Sequence, residues 1–305
     1  MANYKQLERL ERIVHLLSWK SIISKKELIE ELLGRFEIQI SERSLERDFK
    51  ILKESFSLDI NYNHQKNGYE LEKDERLLSR FFKFAELNSL AKVYEDGLKN
   101  YSEFEKWIIP DDSSKLNGIE NINTIVKALN LRLKLKFNKV DFFSDEILVR
   151  TVTPLRLKEY LNRWYLIAIK DGTNEIRNYG IERMSNLEML KEPGIEIKSF
   201  TNQLIRYNDI VGINYSDDYF SKPVKIVCKT FDNQHKYLAT LPLHHSQEIS
   251  YLENKTEAIV SFFLQPNHEF LMQLLGINEN IVVMEPVELR EVMKTKLNKT
   301  LNHYK

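Results

Sequence analysis

The chain has 305 residues, 42% hydrophobic and 30% charged, and its 45 basic and 45 acidic side chains give a formal net charge of zero. A chain of this length is predicted to form two or three packed domains, and its charge balance excludes a general attraction to nucleic acid, so any contact with nucleic acid would have to come from a local basic face. Apolar runs are too short to cross a bilayer and no apolar signal core precedes the first charged segment, so we expect a cytoplasmic protein without membrane contact. The single cysteine, Cys228, excludes an intramolecular disulfide and a multi-thiolate metal site.

Three short helices are predicted at the start of the chain, because apolar residues recur there at three- and four-residue steps. The first covers residues 4–18. A capping box beginning at Ser24 starts the second helix, which Gly34 is expected to end. Ser41 caps the third helix, and two short strands joined by a polar turn follow within residues 60–71. This order predicts a winged helix-turn-helix.

A basic stripe on the third helix is the candidate DNA contact. Arg43, Arg47 and Lys50 are spaced by four and three residues, so they share one side of the helix. Arginine can grip guanine or phosphate in bidentate fashion, and Ser41 and Ser44 near the helix start are short enough to approach the DNA backbone. The alternative is that Glu42, Glu46 and Asp48 of the same helix pair with these bases on a solvated face.

The third helix also carries the run Arg43-Ser44-Leu45-Glu46-Arg47-Asp48. This run resembles the Arg-(Thr/Ser)-(Ile/Leu)-x-Arg-Asp core in the winged helix of DeoR-like bacterial regulators. The resemblance implies a DNA-binding domain over residues 1–74.

Residues 75–130 are rich in Leu and Phe at helical spacing, and this pattern predicts a helical connector, interrupted by a polar break at 111–114. Apolar surface on such helices can mark a subunit contact, and packing on the next domain explains it equally well.

Alternating apolar and polar residues begin at Leu131, and several short strands separated by turns predict a small antiparallel barrel over residues 131–200.

Three segments of this barrel, Pro154–Leu157, Arg163–Ala168 and Ile176–Met184, resemble the WYL domain of bacterial regulators in order and spacing. The family shows Pro-Leu, then Trp-Tyr-Leu, then an Arg-x-(Phe/Tyr) strand closed by an Arg-(Ile/Met) pair. The resemblance implies an Sm-like five-stranded antiparallel β-barrel with a basic and aromatic pocket for a nucleotide, an oligonucleotide or single-stranded nucleic acid. The expected pocket residues are Arg156, Tyr160, Trp164, Tyr165, Arg177, Tyr179 and Arg183.

Strand alternation leaves alternatives open for these residues. Trp164 and Tyr165 point to opposite faces, so one of them must belong to the core. Arg177 and Arg183 can instead form surface ion pairs with acidic neighbours in the sequence.

Residues 201–305 predict a small α+β domain, with strands near residues 224–228, 236–241, 258–264 and 281–284 and helices at 269–275 and 287–303. This part resembles the C-terminal extension that accompanies WYL domains, and the resemblance implies dimer contacts. No metalloprotease, phosphate-loop or nucleophile-elbow motif occurs, so we expect neither an enzyme nor a cofactor. His244 and His245 are adjacent on a presumed strand, so they should point apart and share no metal.

The sequence therefore predicts an α+β multidomain protein made of a winged helix-turn-helix, a helical connector, the Sm-like barrel and the C-terminal α+β domain. Together with the two resemblances, it predicts a homodimeric, ligand-responsive transcriptional regulator bound to a palindromic double-stranded DNA operator. The resemblance to WYL-domain regulators implies a repressor of a phage-defence or DNA-damage locus. One alternative is a nucleic-acid-binding accessory protein in repair or defence, without regulatory output. Another is a protein–protein adaptor that uses the connector.

Overall fold

The structure is a computed structural model that describes residues 4–99, 101–108, 117–141, 146–214 and 220–305. It divides into two compact units, Met1–Pro110 and Asp111–Lys305. The predicted polar break at 111–114 lies outside the described residues. Among the residues that are described, no helix is long and apolar enough to cross a membrane.

The first unit contains the predicted helices and hairpin in the predicted order. Its elements are α1 (Tyr4–Trp19), α2 (Lys25–Phe36), α3 (Glu42–Phe56), β1 (Ile60–Asn63), β2 (Gly68–Leu71), α4 (Glu75–Lys99) and α5 (Tyr101–Trp107). Leucines from the first three helices meet in one core, in which Leu10, Leu28 and Leu45 are almost completely buried. The two strands pair antiparallel, and Ile23 between α1 and α2 adds a bridge to Tyr69 of β2. The hairpin is thereby fixed to the helices.

Two details of α2 differ from the prediction. Ser24 caps the helix as expected, with its Oγ accepting from the backbone N–H of Glu27 at 3.2 Å. The Glu27 carboxylate does not complete the capping box, because it accepts from Lys20 Nζ at 2.6 Å. Gly34 lies inside the helix, which closes on Glu37 in a left-handed conformation. A glycine inside a helix costs about 1 kcal/mol relative to alanine. The helix nevertheless continues past Gly34, with Leu28 and Leu32 buried in the core.

The second unit begins with α6 (Asn121–Leu131) and a five-stranded antiparallel sheet. Its strands are β3 (Leu133–Val140), β4 (Ile147–Tyr160), β5 (Arg163–Lys170), β6 (Ile176–Gly180) and β7 (Met184–Pro193). The strand order is β6-β5-β4-β3-β7. The prediction of five antiparallel strands is confirmed, but the predicted closure into a barrel is wrong. Among the described residues no pairing joins β6 to β7, so the sheet is open.

Each face of this sheet packs against helical segments. Ile125 and Ala128 of α6 join the core on one face. Phe200, Leu204 and Tyr207 cover apolar residues of β4 and β5 on the other. They come from a helical stretch made of a 3-10 turn (Ile197–Phe200), α7 (Thr201–Ile205) and a second 3-10 turn (Arg206–Asn208). Both faces of β5 are therefore buried along most of its length.

The rest of the second unit is an α+β arrangement with its own core. Its elements are β8 (Val224–Thr230), α8 (Gln234–Thr240), β9 (Glu248–Tyr251), β10 (Ala258–Leu264), α9 (His268–Ile277), β11 (Ile281–Glu285) and α10 (Val287–His303). The sheet is antiparallel with the order β11-β8-β10-β9. Cys228 is buried in β8, and burial raises the pKa of its thiol to about 12.

The strand predicted at residues 236–241 is wrong, because this segment belongs mostly to helix α8. Leu238 is buried, whereas Tyr237 and Leu241 are 70% and 77% exposed. A short segment with one buried side chain is compatible with a helix and with a strand. The local sequence pattern therefore did not distinguish the two kinds of element.

Candidate functional site

The outward face of α3 carries the five residues predicted to contact DNA. Ser41 is the N-cap, and its Oγ accepts from the backbone N–H of Ser44 at 3.2 Å. The two serine hydroxyls also lie 3.1 Å apart. Arg43, Arg47 and Lys50 are all exposed on this helix. The serines thus hold the start of the helix, and the basic side chains project from it.

Glu42 and Glu46 of α3 pair with α2 and leave the two arginines without partners among the described residues. Lys25 of α2 donates to Glu46 at 2.6 Å, and its Nζ lies 3.8 Å from Glu42. Within the described residues Arg43 and Arg47 have no hydrogen bond or ion pair, so both guanidinium groups are available to a ligand. The pairing of these bases with Glu42, Glu46 or Asp48, which was the alternative interpretation, does not occur among the described residues. Lys50 instead lies 3.7 Å from Glu54.

A buried ion pair holds α3 against α1. The Nε and Nη2 of Arg9 donate to the two carboxylate oxygens of Asp48 at 2.6 and 2.8 Å. The Asp48 side chain is 0% exposed and that of Arg9 is 23% exposed. The hydrogen bond to Asp48 raises the pKa of Arg9 above its ordinary value. The aspartate of the Arg-Ser-Leu-Glu-Arg-Asp run therefore fixes the helix in place, and it does not face outward.

The hairpin places further polar groups on the surface of the first unit. The Tyr62 hydroxyl hydrogen-bonds the side chain of Asn67 across the turn, and the Tyr62 and His64 rings meet edge to face at 4.9 Å. Lys66 is exposed at the turn. The turn is thus ordered by its own side chains while keeping a cation at its tip.

In the five-stranded sheet, the strand register assigns the aromatic pair to different faces. Trp164 lies on the same side of β5 as Leu166 and packs on the core beneath α6. Tyr165 therefore points to the other face. Tyr179 is 5% exposed, with its ring edge-on to Phe137 at 5.3 Å. Trp164 and Tyr179 thus contribute mainly to the core.

A basic and aromatic cluster forms on the face that carries Tyr165. Lys158 lies opposite Tyr165 in the register, and Arg156 and Tyr160 flank it on the same side of β4. Lys158 Nζ donates to the Tyr207 carbonyl at 3.3 Å and lies 5.7 Å from the centre of the Tyr207 ring. Burial lowers the pKa of Lys158 below that of an ordinary lysine. Lys158 was not predicted, although its spacing of two residues from Arg156 and from Tyr160 is the signal that could have found it.

The two remaining predicted pocket residues occupy ion pairs. Arg177 donates to Glu175 at 2.6 Å, and both side chains are more than half exposed. Arg183 Nε lies 3.6 Å from a Glu182 oxygen. The surface pair considered as the alternative is therefore present for Arg177, whereas the contact of Arg183 with Glu182 is partly buried.

The end of β4 is connected to the C-terminal elements by polar contacts. Gln273 of α9 donates to the Tyr160 hydroxyl at 3.1 Å, and burial raises the pKa of Tyr160. The rings of His244 and His245 lie 4.1 Å apart, and the Nε2 of each is 2.8 Å from the Asn208 carbonyl oxygen. The expectation that these histidines point apart is wrong, because they lie in a bend outside any strand. No group of three metal-binding side chains occurs among the described residues.

His244 makes the stability of the second unit sensitive to acid. Burial is the main cause that lowers the pKa of His244 from 6.5 to about 4. Below about pH 6.5 the unfolded chain binds a proton that the folded chain does not, so stability should fall as the pH drops to about 4, by about 3 kcal/mol in total. Urea unfolding between about pH 7 and pH 4.5 measures this loss.

The variant His244→Asn should show a flatter dependence of stability on pH in that interval. The variant His245→Asn, at the exposed neighbour, should keep the steep dependence. An equally steep loss in both variants would contradict the assignment to His244.

Comparisons with known proteins place a family domain on the five-stranded sheet. The family model described as the WYL domain matches residues 120–189. A search of curated proteins gives no match. Among solved structures, the chain is similar to proteasome accessory factor B/C (PafBC) of Arthrobacter aurescens at 16% identity and a TM-score of 0.29, covering 98% of this chain and 49% of that one. It is also similar to a CRISPR Cas-related protein at 14% identity and a TM-score of 0.39, covering 98% of this chain and 85% of that one.

The chain thus spans about half the length of the PafBC structure. The matched residues begin at the start of α6 and end in β7, and they include all three segments in which the sequence resembles the family. Residues 120–189 of this chain therefore form a WYL domain.

Proposed function

We propose that this protein is a DNA-binding transcriptional regulator in which α3 contacts duplex DNA and the WYL domain binds an effector. The observation that carries the proposal is the pair of exposed, unpartnered guanidinium groups of Arg43 and Arg47 on α3. A helix followed by a hairpin with a cationic tip has the shape of a winged helix-turn-helix, whose recognition helix enters the major groove. Arg43 and Arg47 would then reach guanine edges or phosphates, and Lys50 and the Ser41 and Ser44 hydroxyls would contact the backbone.

For the effector, the face with Arg156, Lys158 and Tyr165 has the chemistry that a nucleotide or single-stranded nucleic acid requires. Arginine and lysine bind phosphates, and an aromatic ring stacks on a base. Lys158 makes no ion pair within the described residues, so an anion would compensate a partly buried charge. Arg177 lies on the opposite face of the sheet, since it pairs with Ala168 in the strand register, and there it could exchange its exposed carboxylate partner for a phosphate.

Homodimer formation is part of the proposal, because a palindromic operator requires two copies of α3. Exposed apolar side chains follow α4 at alternating steps of three and four residues, the spacing of a helix-pairing stripe. They are Phe84, Leu87, Ala91, Tyr94 and Leu98. This stripe and the C-terminal extension are the proposed subunit contacts, and repression of a defence or DNA-damage locus is the proposed output.

Selection of bound duplexes from a random library by the full chain tests the function. A regulator should enrich one two-fold-symmetric sequence whose half-sites are about 10 base pairs apart or a multiple of that. Retention without enrichment would favour the accessory nucleic-acid-binding protein, and no retention at low salt would favour the adaptor. Adding a single-stranded oligonucleotide to the complex should change duplex affinity if the WYL domain senses it.

A further inference from the structure

Lys25, the first residue of α2, faces the outer surface of α3. Its ammonium donates to Glu46 at 2.6 Å and lies 3.8 Å from Glu42. The Lys25 side chain is 23% exposed, whereas those of Glu42 and Glu46 are 70% and 59% exposed. The Lys25 ammonium also lies 5.9 Å from the centre of the Tyr69 ring, so it is near both the hairpin and α3. The hydrogen bond to Glu46 raises the pKa of Lys25, which keeps the ammonium charged.

Without Lys25, the two carboxylates would face the candidate DNA-binding stripe. Glu46 comes three residues after Arg43 and four before Lys50, and side chains at these spacings form ion pairs on a helix. Such pairs would compete with DNA for the basic groups. Two uncompensated carboxylates would in addition repel DNA phosphates across a short distance.

We propose that Lys25 is a positioning residue for DNA binding, because it holds Glu42 and Glu46 and so keeps Arg43 and Arg47 free for the duplex. This inference rests on the proposed function. Lys25 acts through the carboxylates and needs no contact of its own with DNA. The same geometry explains how a helix with alternating acidic and basic residues presents a basic face in a protein with no net charge.

A double-mutant cycle separates this role from a direct phosphate contact. We compare K25Q, the E42Q/E46Q variant and the combined K25Q/E42Q/E46Q variant in the full chain, titrated into a labelled duplex of about 30 base pairs at low ionic strength. Lys25→Gln should weaken binding by about tenfold in the native background and by less than about twofold when Glu42 and Glu46 are already glutamine.

Lys26→Gln is the matched control, since Lys26 is the next residue, is 87% exposed and, in the part of the chain that the structure describes, pairs only with Glu30 at 3.8 Å. It removes the same charge from the same end of α2. Thermal unfolding of each variant shows whether a loss of binding reflects a loss of folding.

Several outcomes would overturn the inference. An equal loss on Lys25→Gln in both backgrounds would mean that Lys25 contacts DNA directly. A loss no larger than that of K26Q would mean that Lys25 has no special role. A lower melting temperature that accounts for the binding loss would make the residue structural. If the wild-type chain itself binds no duplex, the proposed function fails first, which distinguishes that failure from the others.

Discussion

Replacing Arg9 with methionine is expected to lower the free energy of unfolding of the first unit by about 3–5 kcal/mol, which is the usual cost of removing one partner from a buried ion pair. The Asp48 carboxylate would remain fully buried with no hydrogen-bond donor among the described residues, since both of its bonds there come from Arg9. Hydrogen exchange of amides in α1 and α3, measured in the full chain, reports the stability of this unit separately from the second.

Lys83→Met is the control for Arg9→Met, because Lys83 forms an exposed pair with Glu86 at 2.9 Å. Loss of such a pair should cost less than about 1 kcal/mol. Adding Asp48→Leu to Arg9→Met should recover much of the stability, because an apolar pair of similar volume replaces buried charge. Equal losses in the Arg9 and Lys83 variants, or no recovery in the double variant, would contradict a desolvated ion pair.

The double variant Arg43→Ala/Arg47→Ala is expected to lose most of its affinity for duplex DNA while staying folded. Each arginine that contacts a base or phosphate should contribute about 1–3 kcal/mol, so Arg47→Ala alone should already weaken binding measurably. Stability should be unaffected, because neither side chain makes a hydrogen bond or ion pair within the described residues. Fluorescence anisotropy of a labelled duplex measures the affinity, and thermal unfolding checks the fold.

Arg80→Ala serves as the matched control for charge, since Arg80 is an exposed arginine on α4. It should leave duplex affinity almost unchanged. Unchanged binding in Arg47→Ala would remove the DNA-contact role from Arg47, and an effect of Arg80→Ala as large as that of the double variant would assign binding to diffuse charge.

Local patterns predicted the elements of the first unit well because their signals lie close together in the sequence. Ser24 and Ser41 each cap a helix through a backbone N–H three residues later, a spacing that a sequence displays directly. The partners that matter for the candidate site are not local. Asp48 lies 39 residues from Arg9, and Glu46 lies 21 residues from Lys25. Periodicity assigns a residue to a face of its own helix but does not identify which neighbour it meets.

The WYL domain shows a similar division between local and non-local information. Alternation established that Trp164 and Tyr165 point apart, but the core aromatic could be identified only once α6 was known to cover one face of the sheet. A local pattern also could not predict whether the sheet closes, because closure depends on whether the edge strands β6 and β7 pair. Lys158 could have been predicted from alternation alone.

The dependence of duplex affinity on salt tests the account most directly. If Arg43, Arg47 and Lys50 bind phosphates, the logarithm of the association constant should fall linearly with the logarithm of salt concentration, with a slope of about −0.9 for each phosphate neutralised. The Arg43→Ala/Arg47→Ala variant should have a slope shallower by up to about 2 than the wild-type chain. Duplex affinity that does not change with salt, or an affinity and a slope that are both identical in the variant and the wild type, would contradict DNA binding through α3.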